Sequence, residues 1–206
     1  MAFSCVVGSL AIRRFAATAL VLAGLLVLPG CWVESINALY EEGFLSSKDP
    51  DVVLDERLAG SWSVIEDKCT IVLTISAKDD TYNLESTEKG EGCSDAGKKS
   101  RYQARLVKLD TRYFLDVSPR PDDVCEMCLA KHTIYQTKID KDSFSLAPID
   151  SDWLKNAVEH KKVVLTTLPD DSDTLTAPAK ELKAFCRKYA DDPEAFKQIG
   201  LVFKRK

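Results

Sequence analysis

His132-Thr133-Ile134-Tyr135-Gln136-Thr137-Lys138-Ile139 is followed by Asp140-Lys141-Asp142 and then by Ser143-Phe144-Ser145-Leu146-Ala147-Pro148-Ile149. Two runs rich in β-branched and aromatic residues flank three polar residues suited to a turn. The stretch predicts an antiparallel hairpin, and its texture repeats upstream. Residues 61–66, 70–76, 81–87, 102–109 and 113–117 all read as strands. Ile71, Leu73 and Ile75 alternate with Val72 and Thr74, and Tyr102, Ala104 and Leu106 alternate with Gln103 and Arg105. Lys78-Asp79-Asp80 and Asp110-Thr111 supply the turns. Downstream, residues 163–168 and 200–204 predict two further strands.

Helical signals occupy two places. Asp150 and Ser151 can cap a helix over 152–160, with Trp153, Leu154, Ala157 and Val158 on one side. Pro178 opens a better helix over 178–189, whose Leu182, Phe185, Cys186 and Tyr189 fall at i, i+3, i+4 and i+7. Asp192-Pro193 begins one further turn carrying Ala195 and Phe196. The fold class this predicts is mainly β: an antiparallel meander of about eight strands forming a lipocalin-like barrel, with a late helix packed on it. Closure removes edge strands that would otherwise pair with other chains.

Arg57-Leu58-Ala59-Gly60-Ser61-Trp62 resembles the Gly-x-Trp opening of the lipocalins. The resemblance implies that Trp62 closes the bottom of the barrel and that a helix follows the strands, as 178–189 would. Most of residues 31–200 is similar to a group of uncharacterised bacterial lipoproteins. The matching stretches are Tyr113-Phe114-Leu115-Asp116-Val117-Ser118-Pro119, the strand led by His132, Asp152-Trp153-Leu154, and Leu175-Thr176-Ala177 before the late helix. That resemblance implies a fold and an address and brings no activity with it.

The first thirty residues read as an export signal. Arg13 and Arg14 precede an apolar run ending in Leu28-Pro29-Gly30-Cys31, too short and too soon interrupted to span a bilayer of about 30 Å. The arginine pair also suggests twin-arginine export, but Phe15 directly after it fits general export better. Leu-Pro-Gly-Cys looks like a lipobox, which makes Cys31 the lipidation site. Trp32, rather than Asp, follows Cys31, so the usual sorting pattern points to the outer membrane, facing the periplasm or the surface. The expected division is therefore 1–30 signal peptide, 31–57 lipidated tether and 58–206 barrel domain.

The whole chain has 206 residues and a formal net charge of −4. Loss of the leader would remove two arginines and no acids, leaving the body more acidic. No clustered basic face is available to neutralise phosphates, so a nucleic-acid partner is not expected. Attachment to lipid would come from acyl chains rather than a basic patch.

Export also sets the reading of the seven cysteines. Beyond Cys5 and Cys31 stand Cys69, Cys93, Cys125, Cys128 and Cys186, in a compartment where thiols oxidise. Cys69 begins one strand and Cys93 follows its hairpin partner, so these two are expected to pair. Cys125-Glu126-Met127-Cys128 lies in a loop rich in Pro and Asp, without a helix to lower a thiol pKa, and reads as structurally oxidised. Cys186 is left unpaired. Cys125, Cys128 and His132 with Cys69 or Cys93 have the right types for zinc, but C-x2-C-x3-H is not a standard spacing, and no metal or cofactor is expected.

Among polar groups, Asp116 and His132 can pair across neighbouring strands. Gly-x-Ser-x-Gly and His-Glu-x-x-His are both absent, so no catalytic residue and no enzyme is predicted. Tyr102, Tyr113, His132 and Tyr135 form the candidate binding set. The expected function is a membrane-anchored binding module for a small apolar ligand or a partner protein; the alternative is an accessory subunit of an envelope complex without a ligand cavity.

Overall fold

The hairpin expected at 132–149 forms, and its neighbours close a barrel around it. The computed structural model describes residues 33–41, 49–93, 96–124, 128–169, 171–197 and 201–206. In chain order the first strands are β1 (Glu34–Ser35), β2 (Val52–Val53), β3 (Gly60–Glu66), β4 (Cys69–Lys78), β5 (Thr81–Lys89), β6 (Lys99–Leu109) and β7 (Arg112–Pro119). There follow β8 (His132–Ile139), β9 (Ser143–Pro148), α1 (Ser151–Glu159), β10 (Thr167–Leu168), β11 (Asp171–Leu175), α2 (Ala179–Tyr189) and β12 (Val202–Arg205).

β3 to β9 pair antiparallel, each with the next. β12 then fills the gap between β9 and β3, with Lys204 opposite both Ser143 and Ser63. The result is a closed eight-stranded barrel. Trp62, Leu73, Tyr82, Leu84, Leu106, Leu115, Tyr135 and Phe144 point inward as one core. The period of two that the sequence shows in β4 and β6 is the alternation between this interior and the outside.

One wall of the barrel is covered on both sides. Phe114 on β7, Ile134 on β8 and Ala147 on β9 face outward into a second core, built with Leu154 of α1 and Leu182, Phe185 and Cys186 of α2. This explains why β7 is buried almost continuously from Phe114 to Ser118. α1 starts where the sequence expects, with the Asp150 carboxylate accepting from the Trp153 N–H at 2.8 Å. Phe185 joins Trp153, Tyr189 and Phe196 in a run of aromatic contacts that ties both helices to this wall.

Two parts of the reading need correction. The strand expected at 163–168 joins a ladder only at Thr167–Leu168, and the eighth barrel strand is β12. After α1 the chain turns at Lys161, which takes a left-handed φ of 56°, and the Val163 N–H bonds back to the Ala157 carbonyl. Val163 and Leu165 then pack in the outer core rather than in a sheet.

The tether expected at 31–57 is the second correction. β1 lies between β8 and β11, Val33 and Leu39 are buried in the outer core, and β2 pairs with β6. Residues 33–41 and 49–57 therefore belong to the folded body. The apolar positions in this stretch are too sparse to show a period, so only the tertiary contacts reveal them.

Candidate functional site

Trp62, the residue that the Gly-x-Trp resemblance would place at the bottom of the barrel, packs in the inner core near the start of β3. Its indole is fully buried, donates to the Leu58 carbonyl at 2.9 Å and meets Phe144 edge-on. The Arg205 guanidinium lies over the ring at 4.2 Å and donates to the carbonyls of Ala59 and Arg57. Gly60 makes that possible. It holds a φ of 141°, and a Cβ there would stand 2.5 Å from the Arg205 Nη1.

The opposite end carries the cysteines. Cys69 and Cys93 form the expected disulfide, with Cα atoms 4.9 Å apart. The β5–β6 loop reaches Cys69 by lying directly on the turn between β3 and β4. Gly92 permits this, since a Cβ would sit 2.0 Å from the Asp67 carbonyl oxygen. Cys128 is also disulfide-bonded, while Cys125, its expected partner, lies outside the described residues. Cys186 is the free buried thiol that the sequence predicts, and burial together with the Asp116 charge pushes its pKa up. Cys31 also lies outside the described residues.

Replacing Cys69 and Cys93 together by Ser should cost about 3 kcal/mol through the loop released in the unfolded chain. Thermal unfolding of parent and double variant, both unreduced, measures it. Reduction of the parent should bring it down towards the variant.

The candidate binding residues do not form one site. Tyr102 and Tyr135 face the interior, and Tyr113 packs against the same core. Burial and the neighbouring Tyr102 push the Tyr135 hydroxyl pKa well up, so it stays neutral. His132 lies on the outside of the wall. Its Nδ1 is 2.6 Å from an Asp116 carboxylate oxygen, and the other oxygen accepts from the Leu39 N–H at 2.6 Å. Tyr40 packs between the His132 ring edge and the Arg105 guanidinium, which sits 4.4 Å from its centroid. The Asp116–His132 pair that the sequence offers therefore exists, and it clasps the segment 33–41. Of the zinc set considered from sequence, Cys69 and Cys93 are bonded to each other and Cys128 is disulfide-bonded, while Cys125 lies outside the described residues.

Part of the barrel interior is packed tightly by the chain itself: Trp62, Tyr82 and Leu106 keep no accessible area and Tyr135 only 1%, whereas Tyr102 keeps 7% and Ile71 and Leu146 8%. Phe144 stacks on Phe203 at 4.9 Å between centroids, which occupies the lumen beside Trp62.

Sequence reasoning missed two polar clusters. Lys183 on α2 donates to both oxygens of Asp49 and to Asp51, each at 2.7 Å. Asp49 also accepts from the N–H groups of Glu41 and Asp51. Burial alone would raise the Asp49 pKa, but these donors outweigh it and hold the carboxyl below its ordinary value. The other cluster is Arg205 on Trp62. Lys183 lies 134 and 132 residues along the chain from Asp49 and Asp51, so no local pattern announces the cluster.

An open feature lies outside the barrel. A cleft of about 250 Å³ runs between α2 and the extended chain after α1. Val163, Leu165, Ala184 and Phe185 line it, Lys162, Lys188 and Glu181 edge it, and the Tyr189 hydroxyl bridges to the Lys162 carbonyl at 2.8 Å. Val163 and Leu165 are buried, whereas Val164 is 88% exposed and Thr166 and Leu168 are also exposed. Among the described residues, the backbone groups of Val164 and Leu165 make no hydrogen bond. β10, which continues this segment, is the free edge of the sheet extension.

No protein-family model, curated protein or solved structure matches this chain. The functional reading therefore rests on these geometries and on the sequence signals at the N-terminus.

Proposed function

We propose that the protein is a bacterial lipoprotein, anchored through Cys31, whose barrel is a binding module for a partner protein of the envelope. The supporting observation is the open strand-like edge at Val164, which lies outside a barrel whose interior is packed around Trp62, Phe144 and Phe203. The tight packing around Trp62 favours a partner bound outside the barrel over a small apolar ligand held at that end. The edge offers two unpaired peptide units beside an apolar floor, which suits an extended segment added as a further strand. Lys162 and Lys188 favour an acidic segment. The alternative is an accessory subunit of an envelope complex without a ligand cavity, and the two differ in whether the cleft is occupied in the cell.

Two experiments test this. Cys31→Ser should release the protein from the membrane fraction or leave its leader uncut; a variant still cleaved and still sedimenting with membranes contradicts the anchor. A photo-crosslinking residue at Val164 should give one discrete adduct in intact cells, lost when Lys162 and Lys188 are both changed to Glu. The same residue at Ile65, exposed on β3, should give none. Equal adducts at both positions, or none at Val164, contradict the partner reading.

A further inference from the structure

We infer that the barrel is held directly against the lipid surface on the side where β1 enters, rather than swinging on a tether; this rests on lipidation of Cys31. Val33 is 2% exposed in the outer core, and only Trp32 stands between it and Cys31. Two residues span at most about 7 Å, far less than the width of the barrel domain. An anchor at Cys31 therefore leaves the body almost no slack. The point of entry is fixed as well. Glu34 lies opposite Thr133 on one side and Thr174 on the other, clamped between β8 and β11.

The chemistry around that entry point suits an interface. Leu168 is exposed and lies opposite Asp171 at the start of β11. The acids flanking the entry are matched by lysines: Lys131 meets Glu34 at 2.8 Å and Asp171 at 3.9 Å, and Lys155 meets Asp173 at 3.0 Å. Carboxylates so matched reduce the repulsion that an acidic body would feel from anionic headgroups. Leu168 and the lysine stems can settle among those headgroups.

The test uses the full acylated protein in vesicles of phosphatidylcholine and phosphatidylglycerol, some carrying brominated acyl chains. A fluorescent label is placed at Leu168→Cys or at Thr74→Cys. Thr74 is exposed on β4, diametrically across the closed barrel from β8. The label at position 168 should be quenched by the brominated lipid several-fold more than the label at 74. Inserting a Gly/Ser linker of ~20 residues between Trp32 and Val33, with an r.m.s. span of about 25 Å, should abolish the difference without detaching the protein. Equal quenching at the two positions in the acylated parent overturns the inference while leaving the anchor intact. A parent that carries no acyl mass and does not sediment with vesicles overturns the anchor itself, and the inference with it.

Discussion

Trp62→Ala should be among the most destabilising single substitutions in the chain, costing about 3–5 kcal/mol, the usual range for emptying a fully buried aromatic position. Several contacts go together. The indole N–H leaves the Leu58 carbonyl, Phe144 loses its edge contact, and Arg205 loses the ring beneath it. Urea unfolding followed by far-ultraviolet circular dichroism measures the loss. Trp62→Phe, which refills most of the volume but cannot donate to Leu58, should lose clearly less. A loss below about 1 kcal/mol for Trp62→Ala would mean that the indole does not hold the inner core together, since that is the cost of an ordinary substitution.

A comparable loss is expected at Lys183. Its side chain is 12% exposed and that of Asp49 3%, so Lys183→Met strands a buried carboxylate. Breaking a buried pair from one side costs about 3–5 kcal/mol, and removing both charges costs much less. The double variant Lys183→Met with Asp49→Asn should therefore recover much of the stability lost by Lys183→Met alone.

The pH dependence has a definite sign. The Asp49 pKa is lowered from its ordinary 3.8, so its contribution is present above that value and is lost as pH falls through the lower folded value. The Lys183 pKa is raised from 10.5: burial alone would lower it, but its bonds to Asp49 and Asp51 outweigh that. Its contribution is complete below 10.5 and is lost as pH rises through the higher folded value. The deficit of Lys183→Met relative to the parent should thus hold across neutral pH and shrink in strong acid. A deficit that persists unchanged at pH 2 would show that the loss is packing rather than charge.

The barrel was legible where local pattern and tertiary environment agree. β4 alternates apolar and polar residues because one face meets the lumen and the other meets water. The β8–β9 hairpin shows as two apolar runs around Asp140-Lys141-Asp142, and the Cys69–Cys93 pair follows from strand ends brought together. Legibility failed where packing on a second layer overrides the alternation. Asp116 and Ser118 look like solvent-facing positions of β7, yet both are buried, and Asp116 accepts from the Leu39 N–H of the segment 33–41. β1 and β11 are short and polar, and they form because β8 offers an edge beyond the end of β9. Residues 163–166 have strand-like composition but no neighbouring strand, so they remain an open edge beside α2. At the candidate site, the aromatic residues picked from the strands proved to be core. The cleft was hidden because its lining comes from one helix and one irregular segment.

The mass of the protein purified natively from its own membrane tests the anchor and the barrel interior together. The expected species is a chain beginning at Cys31 that carries acyl groups and retains no small apolar ligand. A stoichiometric apolar molecule released on denaturation would contradict binding outside the barrel. An unmodified chain still carrying residues 1–30 would contradict the anchor.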